Sequence, residues 1–170
     1  VDMQATALAY VAQLAPDVPM SRVVPAQNSA RVIIAQDDAR QDRLIWLQTA
    51  LPGICYAEFS PHAEALIHDL GQQVGCLAAA LVGFDHVALK RDFKWDLMQA
   101  GWILPELGVI ADKARRTRLE NICDAFIALK PALAALPVQA VHNDVNDYNI
   151  LVALRDNTPY ISGLIDLGDM

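Results

Sequence analysis

Apolar and polar positions follow three rhythms along this chain, and each rhythm predicts a different element. Met3, Ala7, Leu8, Val11 and Leu14 recur every three or four residues until Pro16, which predicts an amphipathic helix over residues 2–14. The β-branched runs Arg22–Pro25, Ala30–Ala35 and Arg43–Leu47 predict a small antiparallel sheet, with the polar stretch Gln36–Asp42 as a solvent-exposed hairpin loop. Leu51-Pro52-Gly53 breaks the strand pattern, so residues 51–59 read as a linker, and Ser60-Pro61 reads as a helix start with proline in the first turn.

The next apolar stripe, Ala63, Leu66, Ile67, Leu70, Val74, Leu77, Ala78 and Leu81, is wide enough to be the core face of a helix that Gly83 ends. Phe93–Leu107 carries Trp95 and Trp102 seven residues apart, near one helical face, and Pro105 ends or kinks that helix. A helical period resumes over Asp112–Leu136, which Pro131 and Pro137 close. Strands are then predicted at Val138–Val141, Ile150–Val152 and Ile161–Ile165, with a turn at Asp156-Asn157. The order predicts a small α+β region over residues 1–53, ending in a hinge, joined to a mainly helical region over 54–170.

Composition narrows the class. A hydrophobic fraction of 54% and a charged fraction of 19% over 170 residues describe a chain with enough apolar surface for a sizeable core. No apolar run is long enough to span a bilayer and no basic-then-apolar leader opens the chain, so a cytoplasmic location is expected. A net charge of −7 argues against nucleic acid as a partner, and the one basic cluster, Lys113–Arg118, reads as a solvated helix face. Cys55, Cys76 and Cys123 are odd in number and far apart, which predicts reduced, buried thiols rather than a disulfide framework or a zinc site. The chain opens without methionine inside a helical pattern and stops just after an acidic motif, so a longer parent protein is expected.

The chemistry concentrates in two stretches. His142-Asn143-Asp144-Val145-Asn146-Asp147-Tyr148-Asn149 sets a polar run between apolar segments, and Gly163-Leu164-Ile165-Asp166-Leu167-Gly168-Asp169 follows one hairpin later. Phosphoryl transfer needs hard oxygen ligands for Mg2+ and one carboxylate in reach of the acceptor hydroxyl. The spacing His-x-Asp, with an asparagine five residues after the aspartate and an Asp-x-Gly further on, is the catalytic-loop pattern of kinases. It makes Asp144 the candidate catalytic carboxylate and Asn149 with Asp166 the candidate metal ligands at the two ends of one hairpin, while His142 orients the loop. Taken singly, either motif reads more readily as turn and helix caps; the two in order are what favour the metal-and-base reading. Trp95, Asp96 and Trp102 offer an aromatic face and a carboxylate to a cationic acceptor, against the plainer reading of aromatic packing and a surface aspartate. His62, His68 and His86 have no partners at ligand spacing and read as ordinary surface or core residues.

On these motifs the sequence resembles the aminoglycoside phosphotransferase and choline kinase-like superfamily of small-molecule kinases. Asn143 after His142 and the Gly168-Asp169-Met170 ending look most like the hydroxylysine kinase-like branch, which includes kinase domains fused to class III aminotransferases. The likeness extends through Val1-Asp2-Met3-Gln4, Leu51-Pro52-Gly53 and Lys94-Trp95-Asp96-Leu97. The resemblance implies an α+β, protein kinase-like bilobal fold, with a partial N-lobe sheet and a mainly helical C-lobe. It implies ATP and Mg2+ as cofactors, Asp144 as the base, Asn149 and Asp166 as Mg2+ ligands, and Asp2 as the carboxylate that pairs with a nucleotide-binding lysine. That lysine and a Gly-rich loop belong upstream of Val1, so residues 1–170 alone are expected to turn over poorly or not at all.

Two functions follow as expectations. The first is an ATP-dependent kinase that phosphorylates a hydroxyl of an amine-bearing compound such as hydroxylysine or an amino alcohol. The second is a non-catalytic, pseudokinase-like regulatory module, possibly docked on a fused aminotransferase domain. Intact Asp144, Asn149 and Asp166 favour the first.

Overall fold

The structure, a computed structural model, describes residues 1–170. The chain divides into two compact units, residues 1–89 with 139–170, and residues 90–138. Neither edge of the second unit falls at residue 53, where sequence places a lobe boundary.

The first unit begins with α1 (Asp2–Leu14), whose buried face of Met3, Ala7, Leu8 and Val11 follows the predicted stripe; Ala5 joins it, and Leu14 is exposed. The predicted small sheet resolves into two separate antiparallel ribbons. β1 (Val23–Val24) will pair with a late strand, while β2 (Ile33–Gln36) and β3 (Asp42–Ile45) form a hairpin around Asp37–Arg40, with Ile33 opposite Ile45. The partner of β1 is β4 (Leu47–Gln48), Val23 standing opposite Gln48.

The stretch expected as a linker carries a strand. β5 (Ile54–Cys55) and a 3-10 turn at Tyr56–Glu58 follow directly on the hinge. Helix α2 (Glu64–Ala80) starts three residues after Pro61, so this proline lies outside the helix rather than in its first turn. Of the predicted stripe, Leu66, Leu77 and Leu81 are fully buried and Leu70 and Val74 pack against the core, but Ile67 faces solvent.

The C-terminal part of this unit is a hairpin of β6 (Ile150–Arg155) and β7 (Thr158–Leu164), with β5 on the free side of β6, giving the order β5-β6-β7. Asp156 and Asn157 both hold positive φ, 49° and 61°, as a two-residue hairpin turn with the strands' own twist requires. The register jumps from Leu151 opposite Gly163 to Val152 opposite Ile161, which leaves Ser162 as the extra residue of a bulge. The bulge breaks the alternation, and Ile161, Ser162, Gly163 and Leu164 are buried in succession. Ser162 Oγ donates to the carbonyl of Pro52, and a Cβ at Gly53 would come within 2.7 Å of Ser162 Oγ, so the hinge lies directly on this bulge. On the outer edge of β7, the Ile161 amide donates to Asp69 Oδ2 of α2 at 2.7 Å, satisfying an edge-strand donor. No strand forms at 138–141.

The second unit is less regular than predicted. In place of one helix over 93–107 stand a 3-10 helix at Leu97–Trp102, the single turn α3 (Ile103–Glu106) and another 3-10 turn at Leu107–Val109. Gly101 and Gly108 remove helix propensity and Pro105 removes a donor, so no continuous α-helix survives. Helix α4 (Lys113–Leu133) is capped by Asp112, whose Oδ1 accepts from the Arg115 amide at 3.0 Å. The three cysteines are free; Cys76 is exposed and the other two half-buried, since none meets a fully packed face as predicted. No helix is long and apolar enough to cross a membrane.

Candidate active site

The polar loop before β6 is fixed by its backbone first. The Asn149 amide donates to the Asn146 carbonyl at 2.9 Å, closing a turn, and the Ala57 amide donates to the Asp147 carbonyl at 3.0 Å, tying the loop to the 3-10 turn after β5. Asn143 sits at φ 67°, a left-handed conformation that asparagine tolerates better than most residues. His142, only 4% exposed, sits beneath the loop. Its Nδ1 accepts from the Asp144 amide at 3.3 Å, which puts the ring proton on Nε2, and Nε2 donates to the Ile165 carbonyl at 2.9 Å. His142 therefore links the polar loop to the residue before Asp166.

Asp144 is half-buried and its carboxylate is held from two sides. Asn146 Nδ2 donates to Oδ1 and Asn149 Nδ2 donates to Oδ2, each at 2.9 Å. Asn149 Nδ2 also donates to the Asp144 main-chain carbonyl at 2.9 Å, so both neighbours of this amide nitrogen are acceptors and the amide orientation follows from them. Asn149 Oδ1 is thereby left for another partner.

The hairpin carries the second half of the site to the first. Ile150 stands opposite Leu164, and the Ile165 amide donates to the Asn149 carbonyl at 3.0 Å, so Asp166 follows directly on the residue bonded to Asn149. Asp166 has φ 65°, and its Oδ1 accepts from the Gly168 amide at 3.0 Å, capping the turn at Leu167–Asp169. A Cβ at Gly168 would come within 2.9 Å of Asp166 Oδ1, so glycine is what lets this turn close.

Asp166 also lines a cavity of about 410 Å³ with Gln4 and Leu8 of α1, Met20, Ser21, Trp46 and Gln48. The floor is apolar and a few polar groups converge on it, the usual constitution of a small-molecule site. Gln4, Ser21, Trp46 and Gln48 were not singled out by the sequence. Gln4 lies in α1 and Gln48 in β4, while Ser21 and Trp46 lie in the short connections beside the strands; none has motif spacing, and only the fold brings them together.

The remaining candidates fall differently. Asp2 accepts from His86 Nε2 at 3.2 Å, so a histidine read as ordinary has a charged partner 84 residues away. Asp96 lies in the second unit and its carboxylate is engaged there: Oδ1 accepts from the Met98 amide at 2.9 Å and Oδ2 from Gln99 Nε2 at 3.2 Å. Trp102 Nε1 donates to the Lys94 carbonyl at 3.0 Å, and Lys94 Nζ lies 4.9 Å from its ring centroid, so this ring is already taken by a cation of the same unit.

The donor set suits one metal chemistry. No cluster of three or more His, Cys, Asp or Glu side chains is gathered in the chain, so it offers no cage for zinc. The oxygens left over, Asn149 Oδ1 and the second carboxylate oxygen of Asp166, are hard donors of the kind Mg2+ takes in small number alongside substrate phosphates. A search of curated proteins finds no match to the chain. A comparison with protein families matches the whole chain, residues 1–170, to the one described as the phosphotransferase enzyme family (APH). With its polar His-x-Asp loop and Asp-x-Gly turn joined across one hairpin in a partial kinase-like α+β fold, the chain belongs to the phosphotransferase enzyme family.

Proposed function

We propose that this chain moves the γ-phosphoryl group of ATP onto a hydroxyl of a small amine-bearing compound, such as hydroxylysine or an amino alcohol. The observation that carries the reading is the join between Asp144 and Asp166: Asn149 holds the Asp144 carboxylate with its side chain and the Ile165 backbone with its own. Asp144 orients the acceptor hydroxyl and takes its proton as the new oxygen–phosphorus bond forms and the bond to the ADP oxygen breaks. Both Asp144 oxygens keep a lone pair beyond the one used by an asparagine, so holding the carboxylate does not disable it.

Asn149 and Asp166 are the residues that would hold Mg2+, which when bound neutralises phosphate charge. The cavity beside Asp166 has the size and mixed lining for part of the nucleotide. A net charge of −7 favours encounter with a cationic acceptor, which supports the amine-bearing class.

The test is ADP release by the full natural chain with ATP and Mg2+, across amino alcohols, hydroxylysine, homoserine, choline and aminoglycosides. Substrate-dependent release that disappears in Asp166→Ala supports the proposal and names the acceptor class. A folded protein that releases no ADP with any acceptor, and binds no nucleotide, refutes it.

A further inference from the structure

His86 is a half-buried titratable group that the loop chemistry does not use, and its surroundings are more constrained than those of a chance surface contact. Its side chain is 17% exposed, in the stretch after α2. Its Nδ1 accepts from the Ala88 amide at 3.1 Å, which commits the ring proton to Nε2 and aims that N–H at Asp2 Oδ2, 3.2 Å away. Asp2 itself is 78% exposed, and its Oδ1 makes no hydrogen bond within the chain. One oxygen is thus held and the other is available.

The same stretch grips α1 a second time, two turns further along. Tyr10 Oη donates to the Val82 carbonyl at 3.1 Å, and the Tyr10 and Phe84 rings meet at a 54° tilt with 5.3 Å between centroids. Gly83, at φ 81°, makes the turn that brings residues 82–86 back along the helix. The two attachments differ in what lies beyond them. Tyr10 is on the far half of α1, whereas the first turn of α1 also carries Gln4, which shares the cavity with Asp166. Gln4 Nε2 is 3.3 Å from where a Cβ on Gly168 would stand. Met3, beside it, packs in the core cluster that includes Leu167.

We propose that His86 is a positioning residue for the active site. Acting through Asp2, it holds the first turn of α1, and with it Gln4, against the Asp166–Gly168 turn, and it presents the free Asp2 oxygen in a fixed direction. This role rests on the phosphoryl-transfer reading. An exposed carboxylate at a helix start would otherwise sample several rotamers, and the imidazole removes that freedom before nucleotide arrives.

The experiment compares His86→Ala, His86→Gln and Tyr10→Phe in the full natural chain, measuring kcat and KM for ATP and for acceptor. His86→Ala is expected to lower kcat/KM for ATP roughly tenfold with acceptor KM unchanged, because misplacement of a catalytic element by an ångström costs on the order of 10–100-fold. His86→Gln, whose amide N–H reaches the place of Nε2, recovers to within about threefold by keeping the donor. Tyr10→Phe breaks the other attachment, lowers stability and leaves turnover in place. In an Asp2→Ala background the His86→Ala change costs nothing further. Wild-type kinetics in His86→Ala, a loss no greater than in Tyr10→Phe at equal stability, no recovery in His86→Gln, or an additive double variant each overturns the proposal.

Hydrogen exchange over residues 3–6 without nucleotide reads the attachment separately. Faster exchange there in His86→Ala than in Tyr10→Phe supports the hold on the first turn, and unchanged exchange overturns it whatever the activity. A wild-type protein that forms no ADP removes the phosphoryl-transfer reading and the catalytic part of this role together. That outcome is distinct from active wild type with an indifferent His86→Ala.

Discussion

Two hairpins of this chain start from similar sequence and finish in opposite surroundings. β2–β3 pairs Ile33–Gln36 with Asp42–Ile45, and Ile34, Leu44 and Ile45 all remain exposed. β6–β7 pairs Ile150–Arg155 with Thr158–Leu164, and Ile150, Val152, Ile161 and Leu164 are buried. Both are closed by local turn chemistry. In the first, Asp37 Oδ1 accepts from the Ala39 and Gln41 amides at 2.9 Å each; in the second, Asp156 and Asn157 supply the left-handed pair. Turn chemistry therefore makes a hairpin but does not place it.

What places β6–β7 is the set of attachments around it: β5 along one side, Asp69 on the outer edge, Pro52 at the bulge and His142 at its end. The candidate site stands on the hairpin whose position is determined several times over. Phosphoryl transfer, in which the protein contributes mainly positioning and electrostatics, requires this.

The sharpest way to break the comparison is at its buried end. Leu164→Ala removes a fully buried side chain beside the site and is expected to destabilise the chain by about 2–5 kcal/mol in urea unfolding. Ile34→Ala, made at a residue 68% exposed, should move it by no more than about 0.5 kcal/mol. Equal losses would show that β2–β3 is covered as fully as β6–β7.

Chemistry at the end of the buried hairpin comes next. Asp144→Asn keeps the shape of the side chain, yet it is expected to cost about 100-fold or more in kcat, the usual contribution of a positioned proton acceptor. Turnover within a few-fold of wild type would remove Asp144 from that role.

The smallest effect belongs to the exposed hairpin. The Gln41 amide first and then the Arg43 side chain hold the Asp37 carboxyl below its ordinary value, against an opposing desolvation, with the Ala39 amide adding least. A carboxyl lowered on folding stabilises the fold above its unfolded pKa, about 3.9, and that contribution fades as pH falls through the lower folded value. A carbon-13 carboxyl titration should place Asp37 below the ordinary aspartate value, and Arg43→Gln should raise it. An unchanged titration would mean that the 2.7 Å pair with Arg43 contributes nothing in solution.

The sequence by itself determined what short-range chemistry controls. Helix α1 keeps both predicted ends, because a clean three-and-four spacing is stopped by Pro16. The Asp156-Asn157 turn forms as read, because only a few residue types accept its backbone angles, and the expected 36–42 loop forms over residues 37–41, with Gln36 and Asp42 paired as the strand ends. The order of His142, Asp144, Asn149 and Asp166 was legible as well, since the two motifs recur together at kinase spacing, although the strand expected before the loop at 138–141 does not form.

The tertiary structure alone decided everything that depends on a distant partner. Ile54 and Cys55 are too short a run to announce a strand and become one by pairing with Val152 and Leu151. The three predicted strands at 22–47 separate into two ribbons because register is set by neighbours, not by β-branched content. Residues 93–107 lose their continuous helix at Gly101, which a heptad-spaced tryptophan pair had masked, as well as at Pro105, which the sequence did announce. The bulge at Ser162, the cavity beside Asp166 and the bond between Asp2 and His86 each join residues far apart in the chain. Contacts of that kind carry no local spacing signal; they come into being when burial of the shared core fixes where each segment lies.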